Sequence, residues 1–473
     1  MTSLMWFRED LRCADNPAWR AAVAAGPVTP VFILDEKTPN LRRAGAASRW
    51  WLHHSLRALD DELDGALVLR RGAAAEQIDS LLKETGAARI FWNRVYEAGA
   101  IARDTATKAA LRARGLDVHT FNGALLHEPW AVRRGAEAPY KVFTPYWRAA
   151  TRLPVDAPLP APQPSYAQPH PSSEKLNDWR LAPAKPDWAA HWMTHWRPGE
   201  RGAQARLSEF LSGAIKNYAA LRDRADKETV SRLSPHLRWG EISPRQIWTA
   251  VAHAMETGAA PARDGEAFLR QIGWREFSYH LLFHFPDMAR RNWKSAFDAY
   301  PWRENAHDLD AWRRGRTGYP WIDAGMRELW ATGHMHNRVR MATASFLIKH
   351  LRIDWRKGEQ WFWDTLVDAD PANNSVGWQW VAGSGADAAP YFRIFNPVVQ
   401  GQKFDPDGDY VRRWLPELAR LPASCIHAPF AAPGALLEKA GIQLGETYPR
   451  PIVDHAQARA AALAGYAAIK AKP

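Results

Sequence analysis

Along the first 130 residues, short apolar runs alternate with longer segments of helical period. Ser3-Leu4-Met5-Trp6-Phe7, Val28 to Leu34, Ala66-Leu67-Val68-Leu69, Arg89-Ile90-Phe91-Trp92 and Val118-His119-Thr120-Phe121 each have the length and apolar content of a buried strand. Between them, Ser48 to Leu63, Ala75 to Thr85 and Ile101 to Arg114 are long enough for crossover helices. Strand–helix–strand repetition predicts a parallel, Rossmann-like sheet covered on both faces. No G-x-G-x-x-G follows the first strand and no P-loop sequence occurs, so an ordinary dinucleotide or NTP site is not expected. A ligand at the carboxyl ends of the strands stays open.

The pattern then changes. Leu153 to Pro164 is too rich in proline for helix or sheet and reads as a semi-rigid connector within a linker of residues 131–195. Beyond it, Gly202 to Ala219, Pro244 to Met255, Glu266 to Phe283, Ala324 to Leu329 and Asn337 to Leu351 all follow a helical period, with Ser243-Pro244 as N-cap and first helical residue. The expectation is an α/β N-terminal domain over 1–130 and a large all-α C-terminal domain over 196–473.

Composition narrows the class. With 46% hydrophobic and 24% charged residues, a disordered or fibrous chain is excluded. No apolar run reaches the roughly 18 residues of a membrane span. The start turns charged at Arg8, unlike a signal peptide, and two cysteines cannot build a disulfide framework. A cytoplasmic protein is expected. Two features stand out: 25 tryptophans, and a net charge of +11. The first 130 residues are near neutral, so the basic excess lies in the helical part, where a polyanion would be held. Indole rings either fill a core or stack on flat ligands and carry electrons.

The helical part holds four chemically dense segments. In Thr229 to Gly240, hydroxyls at Ser231 and Ser234 flank Arg232 before a proline, an arrangement that can offer donors to a phosphate, although Ser-Pro turns usually only cap helices. Gln271 shares a helix face with Trp274 and Arg275, suited to stacking a base and bonding its edge, or to an ordinary salt-bridged helix. In Gly333 to Met341, two histidines invite a metal, yet no residue at ligand spacing completes a site, so none is expected. Asn337, Arg340 and Met341 lie on one face at the start of an apolar helix and need a polar partner. Finally, Asp368-Ala369-Asp370 precedes Asn373-Asn374 and Trp378-Gln379-Trp380. Paired carboxylates serve as acid and base or as metal ligands, but the neighbouring Asn and Trp favour a planar ligand in a dry cavity.

These segments, with Thr317-Gly318-Tyr319-Pro320, Ala389 to Pro397 and Trp6-Phe7-Arg8 of the first strand, resemble the photolyase/cryptochrome family from the first strand to about Pro416. The resemblance implies an antenna-binding α/β domain and a helical FAD-binding domain acting on ultraviolet-damaged DNA. There an electron from excited, reduced FAD splits a flipped-out cyclobutane pyrimidine dimer and then returns. Carried onto this sequence, Tyr218, Ser231, Arg232, Leu233 and Ser234 would hold the FAD phosphates and ribityl chain. Gln271, Arg275, Asn337, Arg340 and Asp368-Ala369-Asp370 would line the flavin and adenine, with Arg340 paired to Asp368 and Asn374 facing flavin N5. Trp274 and Trp380 would pack on the pyrimidines beside Met341. Arg222, Arg338, Arg393, Gln400 and Lys403 would meet the DNA backbone. Trp378, Trp355 and Trp302 match the proximal, middle and distal members of the family's electron chain.

Asn337 stands where six-four photolyases carry histidine, which favours cyclobutane dimers, and Asn374 is not the aspartate of plant cryptochromes. Gln271 departs from the dimer-contacting glutamate of class I enzymes, so class III is a close competitor. Trp92 to Ala100 aligns with the class I folate segment, but Gly99-Ala100 replaces its Asn-Glu. A folate in another pose, a deazaflavin or no antenna all stay open, and methenyltetrahydrofolate is the favoured antenna on resemblance to class III. The resemblance also implies a monomer with no obligate protein partner and no membrane association. A cryptochrome-type photoreceptor and a six-four photolyase are the alternatives.

Overall fold

The structure, a computed structural model, describes residues 2–134, 138–391 and 393–470. Phe392, inside the Ala389 to Pro397 motif, lies outside the described residues. The chain divides into two compact units: Met1–Lys216 with Ser231–Pro286 and Val367–Ala372, and Asn217–Val230 with Asp287–Leu366 and Asn373–Pro473.

The first unit is built on five parallel strands, β1 (Ser3–Phe7), β2 (Val28–Leu34), β3 (Val68–Arg71), β4 (Arg89–Asn93) and β5 (Asp117–Phe121), in the order β3-β2-β1-β4-β5. Helices α1 (Pro17–Ala24), α2 (Ala46–Glu62), α3 (Ala74–Thr85) and α4 (Ala98–Ala113) make the crossovers. Central β1 explains why its sequence is apolar without alternation. Met5 and Phe7 join Trp19, Trp50 and Trp51 in one cluster, while Leu4 and Trp6 join Ile78, Leu81 and Trp92 in another. Both faces of the strand are therefore buried, as in other covered parallel sheets. Strand order reverses between β1 and β4, the usual ligand crevice. Here Asp10 accepts from the Arg8 amide at 2.6 Å and from Asn93 Nδ2 at 2.6 Å, and Asn93 also donates to Asn16 at 2.7 Å. Arg8 reaches Asp104 and the Asn93 carbonyl. Buried polar side chains thus occupy the mouth of the sheet.

The proline-rich connector is anchored to the sheet. Leu159 and Asp15 exchange hydrogen bonds of 2.8 and 3.0 Å, and Ser165 and Ala167 bracket Val28 at the start of β2. Arg12, fully buried, donates to the carbonyls of Asp15, Gly123 and Gly240 at 2.7–2.8 Å. Gly240, at φ +65, passes so close that a Cβ would lie 2.1 Å from the Glu9 carbonyl oxygen. In the helical part of this unit, Ser243 caps Pro244–Glu256 as expected: its Oγ accepts from the Gln246 amide at 3.0 Å and Gln246 accepts in return at 2.8 Å. The helix predicted over Gly202 to Ala219 is Glu200–Ser212, ending where Gly213 breaks the turn.

Among its described residues, the regular elements of the second unit are helices. Its helices include Ala306–Arg313, Pro320–Thr332, Asn337–Ser345, Trp355–Thr365, Pro397–Phe404, Asp409–Trp414 and His455–Lys470. Buried Asp323 organises the Thr-Gly-Tyr-Pro motif, accepting from the Thr317 amide and hydroxyl, the Gly318 amide and Tyr448 at 2.7–3.0 Å. The helix predicted to run from Asn337 to Leu351 changes at Ser345 into a π-helical turn over Phe346–His350. No described helix is long and apolar enough to cross a membrane.

Candidate functional site

In the first unit, the segment Ser231 to Ser234 leads into the short helix Ser234–Arg238. Arg232 sits at φ +52, a left-handed conformation uncommon for a residue with a Cβ and associated with functional sites. Ser234 Oγ donates to Asp368 at 2.6 Å, so the two ends of the expected cofactor set meet. Ala369 presents its carbonyl to Arg238 Nε at 2.8 Å, and Arg238 also pairs with Glu9 at 2.7 Å. Asp370 accepts from Tyr279 at 2.7 Å and from the Ala372 amide at 2.9 Å, at the start of the helix Pro371–Ala382. Asp368 and Asp370 therefore do not act as a facing acid–base pair; each is held by its own donors. Arg238 and Tyr279 were not singled out from sequence: Arg238 lies in the Thr229 to Gly240 segment behind its more suggestive hydroxyls, and Tyr279 reads as a core residue.

The long helix Ala262–His284 carries Gln271, Trp274 and Arg275. Arg275 donates to the Ala124 carbonyl at 2.9 Å and lies 4.9 Å from the Tyr279 ring. Trp274 is half-buried, with one face covered by Phe143: the rings are stacked at 3.7 Å and 7°. Gln271 Nε2 turns back to the Ala267 carbonyl at 3.1 Å, which engages its donor end. Next to Arg275, Glu276 is buried and accepts from the Leu126 amide at 2.8 Å. Burial pushes its carboxyl up to about 7, while Arg275 and the backbone donors oppose the rise. Glu276 also lines a cavity with His127, Trp147 and Trp248, and none of the residues expected to hold FAD lines it.

In the second unit, His336 caps Asn337–Ser345 by accepting from the Arg338 amide at 3.2 Å, and burial lowers its pKa to about 4, leaving it the neutral acceptor a cap requires. His334 faces Glu328 at 3.7 Å. The two histidines thus have structural partners. Asn337 is exposed and approaches Met341 Sδ at 3.8 Å. Arg340 Nε donates to the Met335 carbonyl at 2.6 Å. Asn374 gives the most informative geometry. Both its hydrogen bonds to Glu359, at 3.0 Å to the carbonyl and 2.8 Å to the carboxylate, are made by Nδ2. That fixes the amide so that Oδ1 is the acceptor it offers. Glu359 was not legible from sequence, since nothing distinguishes it from any helical glutamate.

The basic residues gather. Arg338 pairs with Asp223 at 2.5 Å, Arg222 lies 3.8 Å from the same carboxylate, and Arg338 and Lys403 both lie over the Phe404 ring, at 4.6 and 5.2 Å. Tyr218 is buried beneath Arg222 at 5.8 Å. Gln400 and Lys403 lie on the helix Pro397–Phe404, and Arg393 is exposed just before it. Of the tryptophans, Trp378 packs against Phe362 at 4.9 Å and Trp312 at 6.2 Å, with its ring against Gly358. Trp355 Nε1 donates to Asn292 at 2.9 Å, and half-exposed Trp302 lies 4.5 Å from Tyr300. Trp380 is half-buried.

Each unit carries groups suited to part of a flavin dinucleotide: in the first, hydroxyls and an arginine at a left-handed turn suit phosphates; in the second, an oriented amide oxygen suits a ring N–H. The family model described as DNA photolyase matches residues 3–164, and that of the FAD binding domain of DNA photolyase matches residues 268–468. The chain is 53% identical to a deoxyribodipyrimidine photo-lyase of Agrobacterium fabrum, over 99% of this chain and 98% of that one. It is 41% identical to cryptochrome-1 of Arabidopsis thaliana, over 97% of this chain and 69% of that one. The crystal structure of a bacterial class III photolyase from Agrobacterium tumefaciens superposes with a TM-score of 0.96 at 52% identity, covering 99% and 98% of the two chains.

Proposed function

The chain belongs to the DNA photolyase family, and from that premise we propose that it is a deoxyribodipyrimidine photo-lyase that uses light to split cyclobutane pyrimidine dimers in DNA. The observation that carries the reading is full-length identity of 53% to a photo-lyase, more than the 41% to a cryptochrome. FAD is the cofactor; when bound and reduced, it supplies the photoexcited electron that opens the cyclobutane ring. This chain's residues bind, orient and keep out water. Ser231, Arg232, Leu233, Ser234 and Tyr218 bind the phosphate and ribityl portion. Gln271, Arg275, Asn337, Arg340, Asp368, Ala369 and Asp370 line the ring systems, Arg340 contributing positive charge that favours an anionic ring. Asn374 would offer its Oδ1 to flavin N5, because Glu359 occupies its amide nitrogen.

Trp274 offers the face that Phe143 leaves open to one pyrimidine of the dimer, and Trp380 and Met341 are further dimer contacts. Arg222, Arg338, Arg393, Gln400 and Lys403 hold the phosphates, which set register without reading sequence. Trp302, Trp355 and Trp378 carry electrons inward from the surface. We place the antenna-binding domain at 1–130, the linker at 131–195 and the FAD- and DNA-binding domain at 196–473, with methenyltetrahydrofolate as antenna. The protein acts in the cytoplasm as a monomer on ultraviolet-damaged DNA, with no obligate protein partner. The test is a purified preparation: flavin absorbance bands together with tighter binding of a dimer-containing duplex than of its undamaged twin. A colourless protein, or equal affinity for both duplexes, would overturn the reading.

A further inference from the structure

Lys349 is an unusual residue in the second unit. It lies in the π-helical turn Phe346–His350, a local irregularity that often marks functional positions, and its side chain is buried to 1% exposure. Burying an ammonium without a carboxylate is costly. Among the described residues its Nζ makes no ion pair. Instead it donates to the Arg393 carbonyl at 3.0 Å and stands 5.1 Å from the Tyr391 ring.

Those two contacts fall on the segment of residues 389–391 and 393–396, which is held at several other points. Ala389 donates to the Trp380 carbonyl at 3.2 Å. Tyr391 donates to the Tyr300 hydroxyl at 2.6 Å and stacks on Tyr466 at 4.3 Å. The Phe395 amide reaches Ser345 Oγ at 3.4 Å, and Asn396 then caps the helix that carries Gln400 and Lys403. The backbone of Arg393 is gripped while its side chain is exposed. The loop thus connects Trp380, Arg393 and Lys403, three of the residues assigned to the DNA.

From this juxtaposition we propose that Lys349 is a positioning residue for DNA binding: through the Arg393 carbonyl it fixes the loop that presents Arg393 to a backbone phosphate. The inference rests on the reading of Arg393 as a DNA contact. Burial, with a smaller contribution from the Arg393 charge, lowers the Lys349 pKa to about 7. Among the described residues, the other titratable or charged groups around it include Tyr391, Tyr300 and His350, with Tyr466, Arg352 and His455 beyond them. A charged donor bonds a carbonyl about twice as strongly as a neutral one, so loss of the proton should cost roughly fivefold in affinity.

The experiment measures dark binding of the FAD-loaded full chain to a dimer-containing duplex at fixed salt, from pH 6 to 8.5. Wild type should weaken about fivefold across that range in excess of Lys349→Arg, whose charge persists. Lys349→Met should bind weakly at every pH, with that excess slope gone, and Lys349→Arg should restore the affinity wild type shows at pH 6. Arg393→Ala is measured beside them. If it binds like wild type, the reading of Arg393 fails and the inference fails with it. If it weakens binding while Lys349→Met matches wild type in affinity and profile, the inference alone is overturned. Should Lys349→Met not fold, a Lys349→Arg profile with the wild-type slope overturns it equally.

Discussion

Replacing Trp274 by alanine separates a stacking platform from a merely structural ring. The indole has two faces, and Phe143 covers one of them, stacked at 3.7 Å. A single aromatic–base stack is worth about 1–3 kcal/mol by alanine substitution. At about 1.4 kcal/mol per tenfold, the variant should bind dimer-containing DNA roughly 5- to 150-fold more weakly. The Phe143 stack adds about 0.5–1.5 kcal/mol of folding stability that is also lost. Trp274→Phe keeps an aromatic face on both sides and should recover most of the binding. The assay is dark titration of a fluorescent dimer-containing duplex, with the flavin-to-protein absorbance ratio and the melting temperature recorded for each variant. FAD content should stay at the wild-type level, since the FAD ligands assigned above do not depend on that ring. Unchanged dimer affinity in folded, flavin-loaded Trp274→Ala would refute the platform. Parallel loss of FAD would show that the ring supports the fold instead.

Trp378→Phe should abolish photoreduction of oxidised FAD yet leave repair by chemically reduced enzyme intact, as followed by flavin absorbance under blue light; unchanged photoreduction would place the electron route elsewhere. Glu359→Gln should loosen the hold on the Asn374 amide, because only the backbone carbonyl of residue 359 then still demands Nδ2. The reduced flavin should then be reoxidised by air faster than in wild type, and identical reoxidation kinetics would remove Glu359 from the account. Glu276, with its pKa raised to about 7 by burial, binds more protons folded than unfolded between about pH 4.5 and 7. Folding stability should therefore fall as pH rises through that window, by no more than about 3 kcal/mol. Denaturant titrations at pH 5 and 8 should show this loss in wild type and not in Glu276→Gln.

Much of the fold was legible because the sheet imposes a strong local pattern. β1 and β2 begin and end where their apolar runs do, and β3 was displaced by two residues because Leu67 is as apolar as Val68. The helix Ala306–Arg313 was missed because polar and acidic residues interrupt its apolar face, and Pro371–Ala382 because its side chains are apolar on no one side. The π-helical turn at Phe346 was not legible either, since apolar residues run through it without any break. Motif residues such as Asn374 and Trp274 announced themselves by resemblance, but their partners did not. Phe143 and Glu359 touch them only through tertiary packing, and neither residue type nor spacing marks them. Nothing in the sequence singles out Lys349 within the helix predicted from Asn337 to Leu351; only folding shows it buried against the Arg393 carbonyl.

The central claim is light-driven repair, and loss of cyclobutane dimers under blue light tests it most directly. The protein is chemically reduced and mixed with an oligonucleotide carrying one thymine dimer. Matched samples are illuminated or kept dark, and restoration of the undamaged thymines is read from absorbance and by chromatography. The account predicts restoration in the illuminated sample only, multiple turnovers per protein, and none without FAD. Intact dimers after illumination of a reduced, flavin-loaded protein that binds the damaged duplex would contradict it.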